Sequence, residues 1–189
     1  MFNRKIFTII ASGAFLALGV ISSANAATDS LATAKANIIT GLTIIETQTL
    51  NFGIIAPDSV AVVQTVTMVP GGAISAVGGA SLFGSDTDGV FNVSGEPTYA
   101  YSINGPVSVT ITEPVTLDTM TVGTFRFTSS NNGHCNNTDA ATCNAAPFLV
   151  LPAGGTDTLT VGGTLTLDSA PNQSTGAYSG AFPLEVIYN

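Results

Sequence analysis

Charge is what this sequence has least of. Four residues are basic and twelve acidic out of 189, or 8%, where an ordinary soluble domain carries about 25%. So few cations in a net acidic chain cannot neutralise a phosphate backbone, which argues against nucleic acid as a partner. One His and two Cys leave no material for a His cluster or for a Cys₂His₂ or Cys₄ zinc site within one copy. Tryptophan is absent. What fills the chain instead is 26 Thr, 20 Gly and 16 Ser, with 45% hydrophobic residues overall. That is too apolar for disorder and matches a secreted β-protein with structural duties.

The N-terminus reads as an export signal. Arg4-Lys5 opens it, an apolar run follows from Ile6 to Ile21, and Ala24-Asn25-Ala26 closes it as an A-x-A cleavage pattern. An uncleaved membrane anchor is the alternative, but the run is shorter than the roughly 18–20 residues that span a bilayer. Position 27 is not Cys, so no lipid attachment point stands there. Cleavage between Ala26 and Ala27 leaves 163 residues with a formal charge of −10 and no membrane segment. That length suits a single domain over 27–189, and no linker or repeat argues for two.

Within it the periodicity is two. Leu42/Ile44, Leu50/Phe52/Ile54, Val62/Gln64/Val66/Met68, Tyr99/Tyr101/Ile103, Val107/Val109/Ile111, Phe125/Phe127, Leu159/Val161, Leu165/Leu167 and Phe182/Leu184/Val186/Tyr188 alternate with Thr, Ser or other partners. Such alternation marks half-buried antiparallel strands. Turn signals such as Pro70-Gly71-Gly72, Asn104-Gly105-Pro106 and Asn131-Asn132-Gly133 separate them. An all-β sandwich is expected, a barrel being the lesser alternative. Gly162-Gly163 reads as a two-residue hairpin turn between Thr158–Val161 and Thr164–Leu167, or equally as a bulge in one longer strand.

Cys135 and Cys143 flank a polar, turn-rich loop. In an exported chain that pattern reads as a disulfide. A metal site from His134 and both thiolates needs the reduced form and a further ligand, and a Cys/His nucleophile pair has no orienting partner. Asp86 and Asp88 at a turn suit a hard cation such as Ca²⁺, but they fail the EF-hand pattern, and Asp and Gly are also ordinary turn residues. G-x-S-x-G, Walker A and G-x-G-x-x-G patterns are absent. Neither catalytic residues nor a cofactor or metal are expected.

Two segments carry a resemblance. One is Ala32-Thr33-Ala34-Lys35-Ala36-Asn37-Ile38-Ile39 running on to Leu50-Asn51-Phe52-Gly53 and Ala56-Pro57; the other is Leu151-Pro152 to Leu167, closing with Gly176-Ala177-Tyr178-Ser179-Gly180 and Tyr188-Asn189. Together they resemble a bacterial secreted family known as domain of unknown function 4402. The L-N-F-G element and the G-x-Y-x-G ending also resemble pilin subunits of archaic chaperone–usher fimbriae, the spore coat U type. The resemblance implies an immunoglobulin-like sandwich exported by a Gram-negative bacterium, and it supplies no catalytic residues.

A pilin-like subunit lacks one strand, and a neighbour's N-terminal segment fills the gap by strand addition. Ala32, Ala34, Ala36 and Ile38 point one way in an extended chain and are the candidate donor; residues 27–37 are otherwise a flexible tail. Phe182, Leu184, Val186 and Tyr188 form the candidate acceptor edge, interrupted by Pro183. The partners are then copies of the chain or related subunits, with a periplasmic chaperone and an outer-membrane usher. The expected location is periplasm, cell surface or medium. A monomeric module binding carbohydrate or a surface through Tyr99, Tyr101 or Tyr178 is the second reading, and an enzyme the third.

Overall fold

A computed structural model describes residues 31–59, 63–167 and 173–189. The signal segment, its Ala26/Ala27 junction and the start of the candidate donor lie outside them. The chain divides into two units, Met1–Asn37 and Ile38–Asn189. In the first, residues 31–37 are exposed and form neither helix nor strand.

The described residues of the second unit form β-strands and one short helix. In chain order its strands are β1 (Thr43–Gln48), β2 (Ile54–Ala56), β3 (Gln64–Met68), β4 (Ile74–Val77), β5 (Ser81–Phe83), β6 (Gly89–Ser94), β7 (Ala100–Asn104), β8 (Ser108–Thr112) and β9 (Thr119–Ser129). Helix α1 (Ala140–Cys143) follows, then β10 (Leu149–Val150), β11 (Thr156–Leu167) and β12 (Glu185–Tyr188). Strands β1, β6, β11, β9 and β8 form one sheet, with β3 attached to β11 and β4 to β3; β10, β7 and β12 form a second, and β2 pairs with β5. Pairings are antiparallel throughout. Phe91, Val93, Phe127, Leu159, Val161 and Leu165 of the large sheet share one buried core with Tyr101, Ile103 and Leu149 of the small one. The fold is a β-sandwich.

Strand β11 is its axis. Gly162 and Gly163 make no hairpin: Thr156–Leu167 is one strand, and the glycines mark a register shift against β9. The reason is crowding. The first half of β11 pairs with β6 up to Gly89, and the second half pairs on the same edge with β3 from Met68. Where one partner gives way to the other, a Cβ on Gly162 would collide with the Met68 carbonyl. Opposite the shift, β9 carries Thr124 at φ +48°, the backbone signature of a bulge.

The cysteines form a disulfide, Cys135–Cys143, with Cα atoms 4.6 Å apart and both residues fully buried. It fixes the loop between β9 and β10. Within that loop, Asp139 caps α1 by accepting from the Thr142 N–H at 2.7 Å. Asn144 then uses its side-chain amide as a strand would. Its Oδ1 accepts from the Ile103 N–H (2.8 Å) and its Nδ2 donates to the Ile103 carbonyl (2.7 Å). Thus β10, only two residues long, and one Asn together cover an edge of β7.

One buried charge crosses the sandwich. Asp157 on β11 is 3% exposed and accepts from Tyr101 (2.6 Å), Ser129 (2.6 Å), Ser130 (2.8 Å) and the Asn131 amide (2.8 Å). Four donors on one carboxylate satisfy it, which is what makes its burial tolerable. Burial, then Asp157 itself, pushes the Tyr101 phenol well above its ordinary acidity range.

Candidate functional site

Both sheets end on the same side in strands that, among the described residues, pair on one edge only. They are β1, which pairs with β6, and β12, which pairs with β7. Between the segments that continue them opens an apolar groove of about 800 Å³. Its floor is Val109 and Ile111 of β8, Met120 and Val122 of β9, and Leu165 and Leu167 of β11. Val109, Ile111 and Met120 are only half-buried although they pack on the core. Exposed floor of this kind is costly unless something covers it.

One wall is built by Leu50-Asn51-Phe52-Gly53. Asn51 exchanges two backbone hydrogen bonds with Thr87 (2.8 and 2.9 Å), and its Oδ1 accepts from the Gly53 N–H at 2.9 Å. That Asx-turn, with Gly53 at φ +76°, carries the chain from β1 to β2, where Ile54 pairs with Phe83. The turn leaves Leu50 and Phe52 half-buried against the core and in the groove wall.

The other wall is the segment from Gln173 to Phe182. It hangs on β8 through reciprocal Thr112–Ser179 backbone bonds (2.9 and 3.1 Å). Gly176 sits so close to Glu113 that a Cβ would strike its side chain. Glu113, 5% exposed, in turn organises the β8–β9 turn by accepting from the Val115 N–H (2.8 Å), the Thr116 N–H and the Thr116 hydroxyl (2.8 Å). The Thr116 N–H above all holds its carboxyl below the usual range. The Tyr178 hydroxyl is committed to the Ser174 carbonyl (2.8 Å) and the Gln173 amide (2.7 Å). Phe182 closes the wall by packing on Phe125 (5.0 Å between ring centres) and edge-on to Phe91 (6.0 Å).

The two motifs that carry the sequence resemblance therefore face each other across one groove. The model of a family described as a domain of unknown function, DUF4402, matches residues 42–188. The chain belongs to this family. Comparison with curated proteins and with solved structures gave no match. The DUF4402 match begins one residue before β1 and ends on Tyr188, so it takes in both walls and the floor of the groove.

The other sequence candidates fall as follows. The acceptor residues Phe182, Leu184, Val186 and Tyr188 alternate half-buried with exposed neighbours, but pairing begins only at Glu185. Pro183 has no N–H to donate and lies ahead of the strand. Ala32, Ala34 and Ala36 are exposed and unpaired with any strand, and Ile38 is 95% exposed. Tyr101 is fully buried, Tyr178 is bonded within its own wall, and Tyr99 packs edge-on against Tyr188 at 5.9 Å. The three tyrosines form no common platform. His134 lies against the Thr142 carbonyl beside the disulfide. Asp88 accepts from the Gly71 N–H at 2.9 Å with one oxygen while the other has no partner among the described residues, and burial pushes its carboxyl up. Among the described residues no three His, Cys, Asp or Glu side chains group to hold a metal, and no helix is long and apolar enough to cross a membrane.

Proposed function

We propose that this DUF4402 chain is a non-enzymatic, exported structural subunit that assembles by β-strand addition. The occupant of the groove is the N-terminal segment of another copy or of a related subunit. The observation that carries this reading is the groove itself: a half-exposed apolar floor between two wall segments, residues 49–57 and 173–182, that continue strands pairing on one edge only. An incoming strand would satisfy backbone groups on both sides and cover the floor. The disulfide supports export, since such bonds persist in oxidising compartments. Assembly at a cell surface would call for a periplasmic chaperone and an outer-membrane usher to protect the groove in transit.

Removing residues 27–37 behind an intact signal segment tests this. Secretion should continue while polymers disappear from the cell surface and medium. Unchanged polymers would overturn the proposal.

A second reading, a monomeric binding module, draws on the groove volume, which lies within the roughly 300–1,000 Å³ of ligand pockets. Its occupant would be a small apolar molecule, because the tyrosines expected to hold a sugar are otherwise engaged. Native protein extracted with organic solvent should then release such a molecule.

A further inference from the structure

We propose that Glu96 and Tyr188 form a clamp on Thr40 that fixes the chain where it enters the sandwich and so reserves the groove for the N-terminal segment of a second copy of this chain. The inference rests on the strand-addition reading above. The Thr40 N–H donates to Glu96 Oε2 at 2.9 Å, and the Thr40 carbonyl accepts from the Tyr188 hydroxyl at 2.7 Å. That hydroxyl also accepts from the Glu96 N–H at 2.6 Å, closing a ring of three residues. The Tyr188 ring is steadied by Tyr99, and Gly95, lacking a side chain, leaves room for the hydroxyl. Both backbone groups of Thr40 are thus held by the sandwich.

The position of the clamp gives it meaning. Thr40 precedes β1, whereas the groove wall begins at Thr49, just past the end of β1. Six strand residues separate the two, about 20 Å at 3.3 Å per residue. The other side agrees: Tyr188 ends β12, while Phe182, in the groove wall, lies ahead of its start. The exit of the N-terminal segment and the groove are at opposite ends of the same strands.

Length alone would not stop self-insertion, because residues 27–39 extend to roughly 40 Å. To enter its own groove the segment must reverse next to Thr40 and run back beside β1. A reversal at Thr40 would cost both hydrogen bonds that hold its backbone. A segment arriving from a neighbour meets no such constraint, and assembly proceeds head to tail.

The test uses the full mature chain with Tyr188→Phe and Glu96→Ala, separately and together, and Glu96→Gln as the conservative variant. Tyr188→Phe keeps the ring against Tyr99, so the fold has a second route to survive if Glu96→Ala fails. Trypsin cleavage after Lys35 reports whether the segment is inserted, and light scattering over a concentration series reports assembly. In the parent, Lys35 should be protected only in oligomers, and increasingly so with concentration. With the clamp broken, Lys35 should be protected in the monomer at every concentration, and the oligomer fraction should fall about tenfold or more, because intramolecular insertion competes at high effective concentration. Glu96→Gln, which can still accept from Thr40, should behave as the parent. A labelled peptide of residues 27–39 separates the two levels of the argument. If it binds the parent while the clamp variants assemble and digest as the parent does, the clamp is overturned and strand addition stands. If it binds neither parent nor variants, both fall.

Discussion

Removing one oxygen atom, by Tyr101→Phe, probes how the two sheets are held together. The ring is fully buried and would stay in place, so no cavity forms. What is lost is the 2.6 Å bond from the Tyr101 hydroxyl to Asp157, whose carboxylate keeps Ser129, Ser130 and Asn131. A hydrogen bond to a charged acceptor contributes about 1.5–3 kcal/mol. In a chain of this length each kcal/mol moves the midpoint by about 2–4 °C, so Tm should fall by about 3–12 °C. Asp157→Ala strands four donors at once and should cost at least about 3 kcal/mol. Because the two residues share one bond, the double variant should lose less than the sum, by about 0.5–3 kcal/mol. Urea unfolding followed by far-UV circular dichroism measures all three. A Tyr101→Phe protein within about 0.5 kcal/mol of the parent, or strictly additive losses, would refute the idea that Asp157 pins β7 to β11.

The same pair makes an alkaline prediction. The Tyr101 phenol titrates above its ordinary value of 10.0 when folded, so the folded state holds the proton that the unfolded state gives up. Its contribution is full below pH 10 and is lost as pH rises beyond it; Tyr101→Phe should flatten the fall in stability above pH 10 in a pH series of Tm. Replacing Cys135 and Cys143 together by Ser, or reducing the bond, should cost about 2–3 kcal/mol by freeing a short loop, and hydrogen exchange should quicken at Ile103, which Asn144 of that loop holds. Gly162→Ala should destabilise by about 1–3 kcal/mol through collision with the Met68 carbonyl, whereas Gly154→Ala, with open space around it, should be close to neutral; urea midpoints of the two compare them directly.

The fold class was legible because a period of two survives in the sequence wherever one face of a strand is buried. The strands around Tyr101, Val109, Phe125 and Leu159 stand where that alternation puts them. The disulfide was legible from the spacing of Cys135 and Cys143 together with the expectation of export. Other features depend on distant contacts. Strand β6, although Phe91 and Val93 alternate correctly, lies among Gly and Asp turn signals that masked it. The bulge at Gly162-Gly163 is decided by β3 and β6 meeting on one edge of β11, which local pattern cannot reveal. The alternation puts Asp157 on the inward face with Leu159 and Val161, but the partner that makes a carboxylate tolerable there, Tyr101, is 56 positions away. The groove was half visible, since its two walls were noticed separately as the L-N-F-G and G-A-Y-S-G motifs. Only the fold brings them opposite one another.

The most direct test of the groove as a strand acceptor is to supply the strand covalently. Residues 27–37 grafted after Asn189 through a flexible linker would start beside Tyr188 and run antiparallel to β12 toward Phe182. Thermal unfolding of the grafted and parent chains is the measurement. Strand addition predicts a higher Tm for the graft, with assembly suppressed, because backbone partners are gained and the floor formed by Val109, Ile111 and Met120 is covered. A parent that refolds cooperatively as a monomer, with a Tm the graft leaves unchanged, would contradict it and mark the sandwich as complete without a partner.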